Sequence, residues 1–181
     1  MTKYVAFLRG INVGGHKKIS MAVLRQAFGS LDLENVKTLL ASGNVLFETK
    51  ATGARALTQS IEQKVRKTFG LDVSVILRTR RNLQQLLDAN PFKGIKVAPQ
   101  TRLFVTFLSE KPKTSLKIPY ESADKSFRII RLTNREICSV LTLGPQWAKN
   151  LRQMDILEKE FGKKITTRTW NTVARVLKPT T

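Results

Sequence analysis

The residues with the most chemical potential stand together at positions 8–20, with the sequence LRGINVGGHKKIS. This stretch contains three of the ten glycines, the only histidine and a pair of lysines. Glycines let the backbone approach a ligand closely, and lysines attract negative charge. A strand-like segment precedes the stretch and a helix start follows it, so backbone N–H groups can point at an anion. The pattern therefore predicts a loop, residues 10–18, that binds an anionic, phosphate-bearing ligand.

The loop does not match the known phosphate-binding motifs. Gly10 and Gly15 have the spacing of the two P-loop glycines, but His16 and Lys17 stand where that motif needs Lys and Ser or Thr. The pattern GxGxxG is also absent, so a nucleotide hydrolase is not expected. The alternative to ligand binding is a crossover whose glycines satisfy backbone geometry and whose lysines are solvated.

His16 is the only side chain that ordinarily titrates near neutrality, so any imidazole acid–base step must use it. Cys138 lies in a predicted strand, and no second catalytic group accompanies His16 in the sequence. The sequence therefore favours a binding protein. An enzyme acting on a small anionic metabolite, with His16 as acid or base, is the alternative.

Two further polar stretches are expected to face this loop. The first is the tight turn ASGN at 41–44, and the second is TTRTWNT at 166–172, which surrounds a helix start. In the alternative interpretation the threonines cap that helix and Trp170 belongs to its core. The predicted ligand-binding residues are Arg9, Gly10, Asn12, Gly14, Gly15, His16, Lys17, Lys18, Ser42, Asn44, Arg168 and Asn171.

The charge balance favours a polyanionic partner. The chain has 32 Lys and Arg residues against 13 Asp and Glu residues, a formal net charge of +19. The excess is spread evenly, because residues 1–110 carry 17 basic and 7 acidic side chains and residues 111–181 carry 15 and 6. Nucleic acid or an anionic small molecule is the expected partner, and a basic scaffold for an acidic protein is a further alternative. No cluster of His, Cys, Asp and Glu has metal-ligand spacing, so we predict no metal and no cofactor.

The sequence predicts a cytoplasmic protein. No apolar run approaches the roughly 18 residues of a membrane span, and the first residues lack the features of a signal peptide. The single cysteine excludes an intrachain disulfide and fits a reducing compartment. No membrane association is expected.

The loop is expected to lie in a ferredoxin-like half, residues 1–79, in which strands and helices follow the order βαββαβ. Apolar periodicity and turn residues define each element. The predicted elements are a central strand (4–8), a helix capped by Ser20, a hairpin (36–47), a long helix (54–69) and a strand (73–77).

The second half, residues 80–181, has a similar content, which predicts a structural pseudo-repeat. We therefore predict an α+β protein of two ferredoxin-like halves, with antiparallel or mixed sheets covered by helices. The predicted elements are a helix capped by Thr79, a strand (103–108), one short helix around Leu116, a hairpin (127–143), a helix whose apolar stripe runs from Trp147 to Phe161, and a last helix at Trp170.

Three stretches, LRGINVGG, ASGNVLF and TTRTWNTV, resemble a bacterial family known as domain of unknown function 1697. ANPF and LEKEFG stand between the last two, and the resemblance spans nearly the whole chain. The resemblance implies an α+β fold with ferredoxin-like halves. It implies no established activity, cofactor or catalytic residue.

Overall fold

The computed structural model describes residues 1–13 and 18–178. The chain divides into two compact units, Met1–Gln85 with the segment from Val176 onward, and Leu86–Arg175. Each unit contains helices and one antiparallel sheet. The predicted α+β class is therefore confirmed.

The first unit has the predicted ferredoxin-like topology. Its elements are β1 (Thr2–Leu8), α1 (Met21–Gly29), β2 (Glu34–Leu39), β3 (Asn44–Thr49), α2 (Ala54–Phe69) and β4 (Val75–Thr79), followed by α3 (Arg80–Asp88). The strands lie in the order β2-β3-β1-β4, and β1 pairs antiparallel with both β3 and β4. The end of this central strand delivers the loop that carries the predicted site.

The helices of the first unit follow from their capping residues and apolar spacing. The Ser20 side chain accepts a hydrogen bond from Val23 N at 3.5 Å, which starts α1, and Gly70 ends α2 with φ of +66°. Both helices contribute to one core on one face of the sheet. The buried core residues from the strands and helices include Ala6, Leu8, Leu24, Phe28, Val45, Phe47, Leu57, Ile61, Val65 and Leu77.

The second unit has the same strand order with one strand added. Its elements are β5 (Thr101–Leu108), β6 (Tyr120–Glu121), β7 (Phe127–Leu132), β8 (Glu136–Thr142), α4 (Trp147–Arg152), α5 (Asp155–Phe161), β9 (Ile165–Thr169) and α6 (Trp170–Arg175). The sheet order is β6-β7-β8-β5-β9. Apart from the short β6, the order is second, third, first and fourth strand, as in the first unit.

The short helix predicted around Leu116 is wrong. The connection between β5 and β6 is fully described and forms no helix. Its residues alternate between exposed and half-buried, which is the period of an extended chain. Leu116 and Ile118 are half-buried and pack against the core of the second unit, where α1 packs in the first unit. Two prolines, Pro112 and Pro119, oppose a helix here.

The single helix predicted from Trp147 to Phe161 is also wrong. The segment forms two short helices, α4 and α5, and Trp147 is 60% exposed. The buried side of α4 is polar, because the buried Asn150 accepts a hydrogen bond from Gly144 N at 2.9 Å. The apolar stripe therefore begins at Met154, which packs against the second core.

Residues 165–169 form a strand where the sequence predicted only the approach to a helix. This strand, β9, pairs antiparallel with β5 and places Thr167 opposite Thr106. The hydroxyl oxygens of these two threonines are 2.8 Å apart and hydrogen-bonded. β-Branched residues favour strands, so the threonine-rich composition serves the sheet as well as the helix cap.

Candidate functional site

The predicted loop begins at the end of β1, where the backbone is hydrogen-bonded to a neighbouring segment on each side. Leu8 N donates a hydrogen bond to Gly43 O at 2.8 Å, and Arg9 N donates one to Ser74 O at 2.9 Å. Arg9 is half-buried, while Gly10 is exposed with φ of +64°. The predicted site residues Gly14, Gly15, His16 and Lys17 lie outside the described residues.

The Asn12 side chain connects the start of the loop to the segment that follows the loop by hydrogen bonds. Its side-chain amide donates hydrogen bonds to Ile19 O at 3.0 Å and to Ala41 O at 2.9 Å, and its Oδ1 accepts one from Ile19 N at 2.8 Å. Asn12 has φ of +55°, a conformation that asparagine adopts more readily than most residues. One side chain therefore joins the segments on both sides of residues 14–17, and Lys18 is exposed beside these contacts.

The ASGN turn packs against the start of the same loop. Asn44 is fully buried and donates hydrogen bonds to Leu39 O at 2.9 Å and to Ser42 Oγ at 3.1 Å. Gly43 has φ of +76°, and a Cβ placed on it would lie only 2.6 Å from Ile11 Cδ1. Two of the three predicted polar stretches therefore meet, and Asn12 and Asn44 hold the backbone of the region.

Arg168 and Asn171, the third set of predicted residues, belong to the second unit. Arg168 is buried on β9, and its Nη1 donates hydrogen bonds to Thr166 Oγ1 at 2.8 Å and to Thr167 O at 2.9 Å. Burial lowers the pKa of its guanidinium to about 10. Asn171 is exposed at the start of α6. Their convergence with the loop stays a prediction.

Trp170, between these two residues, packs edge-on against Phe92 with ring centroids 5.1 Å apart. It is therefore part of the packing of the second unit, as the alternative interpretation held.

The free thiol of Cys138 is buried, which disfavours its ionised form. The residue is fully buried on β8, and burial raises its thiol pKa to about 12, with the charge of Glu136 acting in the same direction. The thiolate, which is the reactive form, is therefore scarce at neutral pH. Cys138 is a structural residue.

A second cation-rich region, which the sequence did not single out, lies in the second unit. We call it the lysine groove: a cavity of about 430 Å³ lined by residues 108–113 on one side and 160–165 on the other. Its cations are Lys111, Lys113, Lys163 and Lys164. The sequence signals were the short runs KPK and GKK, which only the pairing of β5 with β9 brings together.

Part of the charged lining is engaged in contacts within the fold in two cavities of the first unit. In a cavity of about 440 Å³ beside α2, Arg66 pairs with Asp72 at 3.3 Å and Glu62 accepts a hydrogen bond from Val75 N at 2.8 Å. In a cavity of about 250 Å³ beside β1, Lys3 pairs with Glu48 at 3.5 Å. These contacts tie neighbouring elements together.

Over residues 1–13 and 18–178, no group of three or more His, Cys, Asp or Glu side chains is arranged to hold a metal ion. In the same part of the chain, every helix is too short or too polar to span a membrane.

The comparisons with known proteins agree with the fold. A family model described as a protein of unknown function, DUF1697, matches residues 1–137. The chain is similar to a solved structure of a conserved bacterial protein from Streptococcus pneumoniae, with 23% sequence identity and a TM-score of 0.73. The match covers 97% of this chain and 96% of that chain, and it shows a common fold. No curated protein matches the chain.

Proposed function

Because the chain belongs to the DUF1697 family of proteins of unknown function, we propose its function from the geometry of its loops. We propose that the protein binds an anionic, phosphate-bearing ligand through the loop after β1, and that nucleic acid is the natural large ligand of this class. The proposal includes a cytoplasmic location, which the buried free thiol of Cys138 supports because such thiols suit a reducing compartment.

The observation that carries this proposal is the closure of the loop by Asn12. One side chain bonds both backbone groups of Ile19 and the carbonyl of Ala41, so the loop starts and ends at a fixed place on the fold. Binding residues are often found on loops that a rigid scaffold positions. The first unit supplies such a scaffold, because the closure rests on the turn before β3 and on the start of α1.

Charge supports an anionic ligand at this place. Arg9 stands at the first end of the loop and Lys18 at the second, next to Lys17 in the sequence. Helix α1 begins at Met21, and the N-terminal end of a helix carries partial positive charge. The net charge of +19 adds a long-range field that attracts polyanions.

The residues divide into two roles. The hydrogen bonds of Asn12 and Asn44 stay within the fold, so these residues position the loop. The ligand is contacted by Arg9, Lys17 and Lys18. We also propose that it is contacted by Arg168 and Asn171.

The test is the double variant Lys17→Ala/Lys18→Ala. Binding of a labelled single-stranded oligonucleotide is measured by fluorescence anisotropy over a series of salt concentrations, with inorganic polyphosphate as competitor. The loss of two phosphate contacts should weaken binding and lower the slope of log K against log salt by about 1.4, since each single-strand contact contributes about 0.7.

The matched control is Lys50→Ala/Lys67→Ala, which removes the same charge from two exposed positions of the same unit. It should change affinity and salt slope much less than the loop variant. Equal binding by the loop variant and the wild-type protein, or equal losses in loop and control variants, would overturn the role of the loop. Failure of both probes to bind the wild-type protein would overturn the function itself.

A further inference from the structure

We propose that the lysine groove of the second unit binds single-stranded nucleic acid. This inference concerns residues other than those of the loop after β1 and does not depend on that loop. Four lysines and a partly apolar lining define the groove within residues 108–113 and 160–165.

Lysines occupy alternate, exposed positions along the first wall of the groove and its continuation toward β6. Lys111, Lys113 and Lys117 are exposed, whereas the intervening Pro112, Thr114 and Leu116 are half-buried. Side chains at alternate positions of an extended chain point to opposite sides, about 6.6 Å apart along each side. The segment therefore packs one side on the core and shows a row of ammonium groups on the other.

The two units differ at this row. In the first unit, the connection between the first two strands includes the amphipathic helix α1, which packs Leu24, Ala27 and Phe28 on the sheet. In the second unit the segment between β5 and β6 uses Leu116 and Ile118 for packing. The exposed lysines contribute nothing to that core, so packing does not explain their presence.

The lysines of the groove outnumber its acidic residues. The lining contains four lysines and two glutamates, Glu110 and Glu160. Glu110 pairs with Lys164 at 3.8 Å, and Glu160 accepts a hydrogen bond from Thr114 Oγ1 at 3.1 Å and keeps its charge. The net charge of the groove is therefore positive. An anion placed in the groove meets lysines from both walls.

The lining favours a nucleic acid strand over an acidic peptide. Either ligand would bring negative charge to the lysines, which act as point charges. The half-buried Pro112 and Phe161 add apolar surface, and apolar surface suits the flat faces of bases.

The test measures binding of a labelled oligothymidylate of about 12 nucleotides to the full chain by fluorescence anisotropy. The variant Lys111→Gln/Lys113→Gln should weaken binding about tenfold and lower the salt slope by about 1.4. The control Lys93→Gln/Lys96→Gln removes the same charge from exposed residues of the same unit outside the groove. It should have much smaller effects, and far-ultraviolet circular dichroism checks that both variants are folded.

Three outcomes would overturn the inference: wild-type binding by the groove variant, equal losses in groove and control variants, or displacement of the oligonucleotide by polyglutamate as effectively as by unlabelled strand. The last outcome would assign the groove to an acidic polypeptide. The loop variant Lys17→Ala/Lys18→Ala separates the two proposals. If only the groove variant loses binding, the loop is rejected as a nucleic acid site. If only the loop variant loses binding, the groove is rejected.

Discussion

Arg78 and Arg168 occupy equivalent positions in the two units. Arg78 on β4 lies opposite Val5 of β1, and Arg168 on β9 lies opposite Val105 of β5. Both arginines are buried, and each donates a hydrogen bond from Nη1 to the carbonyl of the preceding residue, at 2.8 and 2.9 Å respectively. The fourth strand of each unit therefore carries one buried guanidinium at the same place.

The equivalence continues into the helix after each strand. Thr79 Oγ1 accepts a hydrogen bond from Asn82 N at 3.1 Å, and Thr169 Oγ1 accepts one from Thr172 N at 3.2 Å. The dipeptide Arg-Thr thus ends the fourth strand and caps the next helix in both units. This is the residue-level trace of the structural pseudo-repeat.

We expect Arg78→Lys and Arg168→Lys to destabilise the protein by similar amounts, about 1–3 kcal/mol each. Lysine keeps the charge but cannot reproduce the hydrogen bonds of a buried guanidinium. Urea denaturation measures the change, and Arg175→Lys, at an exposed position of α6, is the control that should cost little. A stability loss at only one of the two buried positions would contradict their equivalence.

Gly43→Ala should destabilise the protein by about 1–3 kcal/mol more than Gly10→Ala. Both glycines have positive φ, so both alanines are strained, but only the Cβ at position 43 meets other atoms, 2.6 Å from Ile11 Cδ1 and 2.9 Å from Leu8 Cβ. At Gly10 no atom of residues 1–13 or 18–178, outside its chain neighbours, lies within 4 Å of the added carbon. Thermal or urea unfolding of the two variants gives the comparison, and equal losses would show that the turn and the loop are not in close contact.

Asn12→Ala should release the loop. The variant removes three hydrogen bonds to Ile19 and Ala41, so the amide of Ile19 should exchange with solvent faster, and stability should fall by about 1–3 kcal/mol. Asn12→Asp tolerates the positive φ and still accepts from Ile19 N, but it loses both donated bonds and places a carboxylate oxygen beside the carbonyls of Ile19 and Ala41. It should therefore also lower stability while it keeps the bond to the Ile19 amide. Hydrogen exchange followed by NMR measures the exchange rate of the Ile19 amide directly. Unchanged protection of Ile19 in the alanine variant would mean that the loop is held by other contacts.

Asp124 should make the second unit less stable as the pH falls into the acid range. Hydrogen bonds from Ser122, Ser126 and Asn150 hold the pKa of its carboxyl at about 2, below the ordinary value of 3.8. Since the folded state lowers this pKa, the stabilisation is fully present above pH 3.8 and is lost as the pH falls toward 2.

The measurement compares wild-type protein with Asp124→Asn by urea denaturation between about pH 6 and pH 2. The difference in the free energy of unfolding should be constant at the upper end and should shrink through the acid range. A difference that does not change with pH would contradict the role of the ionised carboxylate.

Local patterns in the sequence determined most of the secondary structure of the first unit. Ser20 marked the start of α1, Gly70 marked the end of α2, and the ASGN turn marked the hairpin of β2 and β3. Each of these signals acts within a few residues, because caps and turns satisfy nearby backbone groups and glycine provides positive φ. The α+β class followed from the order of such elements.

The tertiary structure alone decided which residues meet. The Asn12 side chain reaches Ala41 across 29 positions, and the lysine groove joins residues 108–113 to 160–165. The buried Asn150 of α4 bonds to Gly144, which lies outside the helix. Sequence periodicity reports one element at a time, whereas these contacts arise from strand pairing and packing between distant segments. The sequence therefore singled out the cations of the loop, whereas only the fold brought together those of the lysine groove.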